Sequence, residues 1–458
     1  MQGRSELRKD ALGLVHSVAI GVAGTAPSYT IAASTAVLIG AVGALAPASL
    51  LYCGLVMVGI TFAFANLNHL YPDSGASYEW VGRVFNRDLG FLAGWAVLVS
   101  SALFMVSATI PAATATLLLV APQAAAAKGP VLAVSALWVL AASLVLVRGV
   151  HLTGVVQTVM TVIDVLVLAV LAVIAFVRYG DVALAHLSWR SFAPGAFGPG
   201  AFSTGAVIAL FFFWGWDVSL NVSEETRDAG RTPGRAALLA LAVIVASFMA
   251  FAVVTLVVLS EPEIQASGAN VVFAIAEKLV PRPWSYLAII AVMVSSVGSL
   301  EACVLAFART MFASSRAGDM HPRWSRVHAR WGTPHLATYL ITVLGLLLLA
   351  LSLAFPSIEA LLGASINAIG LEVAFYYGLA ALACAWQFRR EAARSPRLLV
   401  FAVAWPLASA AGLFAVTLLA ARSMDATTLV IGLGGLALGL VPLAWLHAQP
   451  RSRAPARR

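Results

Sequence analysis

The sequence predicts an all-α protein embedded in a membrane, and three observations carry that reading. Of 458 residues, 61% are apolar and only 10% are charged, whereas ordinary soluble chains carry about 25% charged residues. Apolar runs recur along the whole chain at a length that suits a membrane-spanning helix, which needs roughly 20 mostly apolar residues. Finally, the Lys and Arg residues gather in alternate links. The mean hydropathy of +0.93 agrees with all three.

Twelve runs are expected to span, near 12–40, 47–70, 89–119, 130–147, 152–177, 203–223, 236–259, 284–312, 335–355, 358–387, 398–420 and 427–446. With a cytoplasmic N-terminus, 22 of the 28 Lys and Arg residues fall on the inner side. They lie in the leader, around Arg83, Arg148, Arg231, Arg309–Arg330 and Arg389–Arg397, and in the C-terminal tail. The outer side holds Lys128, Arg178, Arg190, Lys278, Arg282 and Arg422. Cytoplasmic links of membrane proteins retain Lys and Arg. The net charge of +8 therefore reflects orientation, not a nucleic-acid partner. Both termini are expected in the cytoplasm, with the chain in the cell (plasma or inner) membrane. No cleavable signal peptide is expected, because the first apolar run is long and no small-residue cleavage site follows it. Cys53, Cys303 and Cys384 lie inside apolar runs and define no disulfide framework.

No link is long enough for a soluble domain, so the chain reads as one membrane domain. The segment 74–87 alternates aromatic and charged residues and reads as an amphipathic helix at the inner interface. A short outer helix is expected over 269–279. Glu224, Glu225 and Asp228, near Arg227 and Arg231, read as a solvated turn, with an inner gate pair as the alternative.

Two spans are expected to break at mid-membrane. In the first, Gly21 and Gly24 interrupt AIGVAGTAPSYT, and Pro27 suits the first position of a new helix. In the sixth, FFFWGWDVSLNVSEE sets Gly215 and Asp217 at membrane depth, and Asp favours helix N-caps over interiors. Broken backbone is tolerated in a bilayer only where it faces protein or a wet cavity. Breaks at matching positions of two five-helix halves point to the binding site of an inverted-repeat transporter. The halves are 12–177 and 203–387, with two further helices over 398–446.

Four stretches carry a resemblance to a known family. GVAGTAPSYT resembles an unwound first helix. YPDSGASYEWVGRVFNRDLGFLAGW is similar to the link from helix two to helix three. FFFWGWDVSLNVSEETRDAGRTPGRA resembles a broken sixth helix with its acidic link, and FARTMFASSRAGDMHPRWSRVHARWGTPHLA the link between helices eight and nine. The chain thereby resembles the amino acid–polyamine–organocation permeases, which have the leucine-transporter fold. The resemblance implies a five-plus-five inverted repeat with two added helices. It also implies secondary active transport of amino acids or relatives, with substrate held between helices one, three, six, eight and ten. It sets Phe211 where the family often places an aromatic outer gate. Some relatives carry a Lys near the position of Asp164, so an acid there departs from the family pattern.

The expected site follows from the chemistry of a zwitterion. A carboxylate suits free N–H donors at a half-helix N-terminus, here Ala23, Gly24, Thr25 and Ala26. An ammonium suits carbonyls near Val22–Ala23 and Phe213–Trp214. Phe213, Trp214, Gly215 and Trp216 are expected to line the pocket, Phe211 and Asp217 to gate it, and the tryptophans to favour a small or neutral substrate. An ionisable group at mid-membrane costs at least ~2.5 kcal/mol. Asp164, Glu301 and Glu372 are therefore candidates for coupling. The resemblance sets Asp164 of helix five near hydroxyls of helix eight at Ser295, Ser296 and Ser299, where it would serve a proton or Na⁺, with proton coupling preferred. No cofactor is expected beyond that ion, and no firm metal site. No enzyme is expected either, since HExxH, GxSxG and Asp-rich pyrophosphate motifs are absent from the sequence. A Na⁺-coupled or exchange carrier is the nearest alternative, and a channel or non-transporting amino-acid sensor shares the same features. Oligomeric state is open.

Overall fold

The structure, a computed structural model, describes residues 6–186, 192–354, 358–422, 424 and 426–448. Among the described residues every named element is a helix, and the extended backbone is limited to an isolated parallel bridge between Leu12 and Thr226. Ten helical stretches are long and apolar enough to cross a membrane.

The first stretch, Leu14–Leu70, runs for 57 residues and is not one rod. It divides into α1 (Leu14–Thr25), α2 (Pro27–Val42) and α3 (Ala46–Leu70). The division between α1 and α2 is a single residue, Ala26, held in the left-handed region at φ 51° and ψ 72°. An L-residue there costs roughly 1–2 kcal/mol. Pro27 then opens α2, where its missing N–H is not needed. Gly21 and Gly24, expected to interrupt the helix, do not: α1 stays helical through both. Their missing side chains serve close packing instead. A Cβ on Gly21 would stand 2.9 Å from the Ala240 Cβ, and one on Gly24 only 2.1 Å from the Gly215 carbonyl oxygen.

Next come α4 (Ser77–Val84), α5 (Arg87–Val120), α6 (Lys128–Val147) and α7 (Val150–His186). The expected amphipathic helix is α4, but its first five residues are buried rather than spread on a membrane surface. Gly90 and Gly94 let α5 close against it, since a Cβ on either would meet α4 at 2.5 Å and 2.9 Å.

The second break separates α8 (Pro199–Phe211) from α9 (Val218–Asn221). Gly215 sits within it at φ 107°, which favours glycine. The remaining elements are α10 (Thr232–Val258), α11 (Glu261–Ser267), α12 (Val271–Leu279), α13 (Tyr286–Arg316), α14 (His335–Leu351) and α15 (Ile358–Ala392). After them come a short turn α16 (Pro396–Leu398), a π-helical stretch, α17 (Trp405–Ala421), α18 (Ala426–Leu438) and α19 (Leu440–Ala448). The outer helix expected over 269–279 is α12.

α5 and α13 pack against each other at the centre, with α1, α2 and α7 on α13 and α15 on α5. The last helices are peripheral. Val430 and Val441 are 71% and 67% exposed, an apolar surface that suits lipid and not water. Glycines 432, 435 and 439 seat α18 and its end on Leu371, Glu372 and Trp95.

Replacing Gly24 or Gly215 by Ala tests this packing. Forcing a methyl group into a filled site costs typically about 1–3 kcal/mol. Both variants are expected to melt several degrees below the wild type, while Gly129→Ala, with no neighbour within 4 Å, leaves melting unchanged. Wild-type melting of Gly24→Ala and Gly215→Ala would contradict the close crossing.

Candidate functional site

The two breaks meet backbone to backbone. A Cβ on Gly215 would stand 2.3 Å from the Gly24 carbonyl oxygen. Beside this crossing is a small cavity of 20 Å³, room for about one water molecule. Gly24, Trp214, Gly215, Asp217 and Val218 form one side. Val97, Ser101 and Phe104 of α5, Ser299, Cys303 and Ala306 of α13, and Tyr376 of α15 form the other.

Asp217 is the charged residue of this wall. It precedes α9 but makes no side-chain cap. Its two carboxylate oxygens instead accept from Tyr376 Oη at 3.0 Å and Tyr377 Oη at 2.8 Å. Trp214 Nε1 donates to Tyr376 Oη at 2.9 Å. The donors thus run one way, from Trp214 through Tyr376 to Asp217, which fits a carboxylate acting only as acceptor. Trp214 also stands edge-on to Phe104, with ring centroids 4.8 Å apart. An acid facing a small cavity whose wall holds no basic side chain can take a cationic group.

The first break is differently equipped than the sequence suggests. The N–H groups of Ala23, Gly24 and Thr25 lie within α1, and Ala26 N–H bonds to the Val22 and Ala23 carbonyls at 3.1 Å. Of these four residues only Gly24 reaches the cavity. The physical reason is that the helix runs one residue short of Pro27 before it turns. The donors left for an anion are those at the start of α2, and the protein fills them itself. The Ser28 hydroxyl donates to Asp164. Tyr29 N–H points at Ser295 Oγ, 3.4 Å away. Ser299 Oγ donates to the Gly24 carbonyl at 2.9 Å, while Ser296 Oγ bonds back to Val292 of its own helix. Asp164, Ser295 and Ser299 therefore meet at the first break, and Ser296 does not join them.

Phe213 and Trp216 do not reach the cavity either. Phe213 packs on Phe248 at 5.4 Å, and Trp216 on Phe64 and Tyr377 at 5.3 and 5.4 Å. Once the chain leaves the helix at Phe212, adjacent side chains diverge, so only Trp214 of this run points inward. The Phe211 side chain lies outside the described residues. Glu301 and Glu372 are buried away from the cavity, and neither Glu372 oxygen nor Glu301 Oε2 has a hydrogen-bond partner among the described residues. Glu372 faces Gly435 of α18. Sequence reasoning missed Ser101, Phe104, Cys303 and Tyr376. Tyr376 stood in view in the YYGLA run of α15, where paired phenols offer two donors to one acid.

The acidic link after α9 is a solvated turn only in part: Arg227, Asp228 and Arg231 are exposed, but the two glutamates are paired. Glu225 and Arg309 are both fully buried and joined by bonds of 2.9 and 3.1 Å. Arg316 reaches Glu224 at 2.7 Å and Asp73 at 2.8 Å. Glu224 also accepts from Ser74 N–H at 3.0 Å. Arg87 and Tyr78 both bind Asp319. The isolated bridge ties Leu12 to this link, with Leu12 N–H on the Glu225 carbonyl and Arg227 N–H on the Leu12 carbonyl, both 3.0 Å. These contacts close one end of the bundle beneath the cavity. Breaking one partner of a buried pair leaves an uncompensated charge, at about 3–5 kcal/mol.

Burial pushes Asp73 up to about 6, against the pull of Arg316. A raised acid contributes stability at low pH and loses it as pH rises through the folded value. The stability of the wild type relative to Asp73→Asn is therefore expected to fall between about pH 4 and pH 6 in thermal unfolding. A difference that stays flat across that window would contradict the burial.

Comparison with known proteins agrees with this architecture. A family model described as amino acid permease matches residues 10–434. Proteins described as uncharacterized transporters, from Mycobacterium bovis and from two strains of Mycobacterium tuberculosis, are 32% identical over 178 residues. That match spans 38% of this chain and 38% of each relative. With the family model covering nearly the whole chain, from before α1 into α18, this protein belongs to the amino acid permease family.

Proposed function

We propose that the chain is a secondary active transporter that moves a small amino acid or related amine across the cell membrane by alternating access. The observation that carries the reading is the cavity beside the crossing of Gly24 and Gly215, with Asp217 in its wall. In a bilayer, irregular backbone at depth needs a protein or cavity environment, and two broken helices meeting at one cavity meet that need. Asp217 suits the substrate ammonium. The cavity's small volume and the paired rings of Trp214 and Phe104 support a small substrate.

In this reading the chain crosses twelve times. α1–α2 and α8–α9 are the broken first members of two inverted five-helix repeats, and the helices after α15 are the added pair. The buried Arg309–Glu225 pair and the Arg316 cluster form the inner gate, and both termini are cytoplasmic. The link arginines that support this orientation are those of the positive-inside pattern.

Asp164 is the coupling residue and its ion is a proton. A hydroxyl hydrogen, that of Ser28, points at this carboxylate. A Na⁺ site would instead present converging oxygen lone pairs. Loss of a proton from Asp164 strengthens its hold on the start of α2, and gain of one loosens it. That ties protonation to the first break.

Two measurements test this. In proteoliposomes, labelled alanine or another small amino acid is expected to accumulate by counterflow and to be driven by an inward proton gradient. Asp164→Asn retains counterflow and loses gradient-driven uptake. Uptake driven by Na⁺ at fixed pH, or ligand binding without any counterflow, would contradict the carrier as described. Separately, Trp214→Ala is expected to raise uptake of leucine relative to alanine at least tenfold, since the indole walls off the cavity. An unchanged ratio would remove Trp214 from substrate selection.

A further inference from the structure

A second cavity, of 400 Å³, opens at the end of the bundle that carries the arginine-rich links. Its walls come from the end of α3, the start of α10 and the turn at α16. Arg231, Arg235 and Arg397 line it, together with His69. Among the described residues no carboxylate lies in the wall. None of the three arginines has an ion-pair partner among the described residues. Arg83, Arg87, Arg309 and Arg316, by contrast, are each committed to an acid. The start of α10 adds to the field. Arg231 precedes it, and no acidic residue lies in its first turn. The positive end of that 27-residue helix is therefore uncompensated locally.

The other half of the cavity is apolar. Phe62 and Phe401 meet at 4.8 Å, and Trp405 lies tilted beside them. Leu399 and Val400 next to them are 49% and 43% exposed. The Asn66 amide bonds the Phe401 carbonyl at 3.2 Å and joins the two walls. The cavity thus straddles the boundary between an apolar helix surface and a basic rim. Its ligand needs an anionic head and an apolar body that stays with the bilayer.

We propose that this cavity binds the phosphate headgroup of an anionic phospholipid from the cytoplasmic leaflet, held by Arg231, Arg235 and Arg397. The chemistry recognised is a phosphate ester, and the apolar wall of Phe62 and Phe401 selects a lipid over a free ion. The leaflet follows from the orientation proposed above, whereas the binding does not depend on transport. The bound lipid bridges α3, α10 and α16.

Native mass spectrometry of the purified full-length protein with added phosphatidylglycerol tests this. One phosphatidylglycerol is expected to bind in preference to phosphatidylcholine. Each basic residue near an anionic lipid surface is worth about a fivefold change in affinity. Arg397→Gln alone is therefore expected to weaken the complex about fivefold, and the triple Arg231→Gln, Arg235→Gln, Arg397→Gln change roughly 100-fold. The triple Arg323→Gln, Arg326→Gln, Arg330→Gln change, in another link, leaves binding intact. If the first triple variant does not fold, the single Arg397→Gln result decides. Equal binding of phosphatidylcholine, or phosphatidylglycerol bound undiminished by Arg397→Gln and the first triple variant, overturns the proposal. Displacement of the lipid by millimolar inorganic phosphate would overturn the lipid and leave a free-anion site.

Discussion

Much of this structure depends on two glycines pressed together. Gly24 and Gly215 belong to different halves of the chain, and each leaves no room for a side chain beside the other's carbonyl. Their contact lets two interrupted helices cross at depth, with the carbonyl groups of one break facing the other. The cavity exists because the chain cannot fill the space beside that crossing with regular helix. α5 and α13, which pack on each other, supply its far wall. The same crossing brings Ser299 onto the Gly24 carbonyl and sets Asp217 under two tyrosine hydroxyls.

The acids inside the helical bundle divide into kinds. Asp217, met by two tyrosine hydroxyls, and Asp164, met by the Ser28 hydroxyl, sit at the two breaks. Glu225 is neutralised by a buried arginine on α13. Glu301 and Glu372 have unpartnered carboxylate oxygens among the described residues. Intramembrane acids are costly; two tyrosine hydroxyls lower that cost for Asp217 and the start of α2 lowers it for Asp164. The start of α2 offers donors and a positive end, and Asp164 occupies them. That placement leaves Asp217, an acid, as the charged group of the cavity wall.

The fold was legible in the sequence at the level of helix type, the recurrence of membrane-length apolar helices and the existence of two breaks, because hydropathy, Gly and Pro act locally. What was not legible depends on partners far along the chain. Gly21 and Gly24 read as helix breakers, yet both serve close approach inside an intact helix, and sequence does not distinguish those two uses of a missing side chain. The Glu225–Arg309 pair joins residues 84 positions apart, so its acid read as a solvated turn. Phe213, Trp214 and Trp216 look equivalent in the sequence. Only the turn at Phe212 sends Trp214 to the cavity and the other two into the core. Cys303 carried no signal until its helix was set against the break, and the paired tyrosines of α15 gained a role only once Asp217 lay beneath them.

Cys303 gives the most direct test of the central claim, that the space beside the Gly24–Gly215 crossing is where substrate sits. It lines the cavity, with its thiol on the Ser101 carbonyl at 3.0 Å, while Cys53 and Cys384 lie elsewhere. In a Cys53→Ser, Cys384→Ser background, the rate of alkylation of Cys303 by a small thiol reagent can be followed with and without saturating alanine, or whichever small amino acid or amine most raises the melting temperature. The account predicts that this ligand slows alkylation several-fold. A ligand that stabilises the protein yet leaves the Cys303 rate unchanged would contradict it.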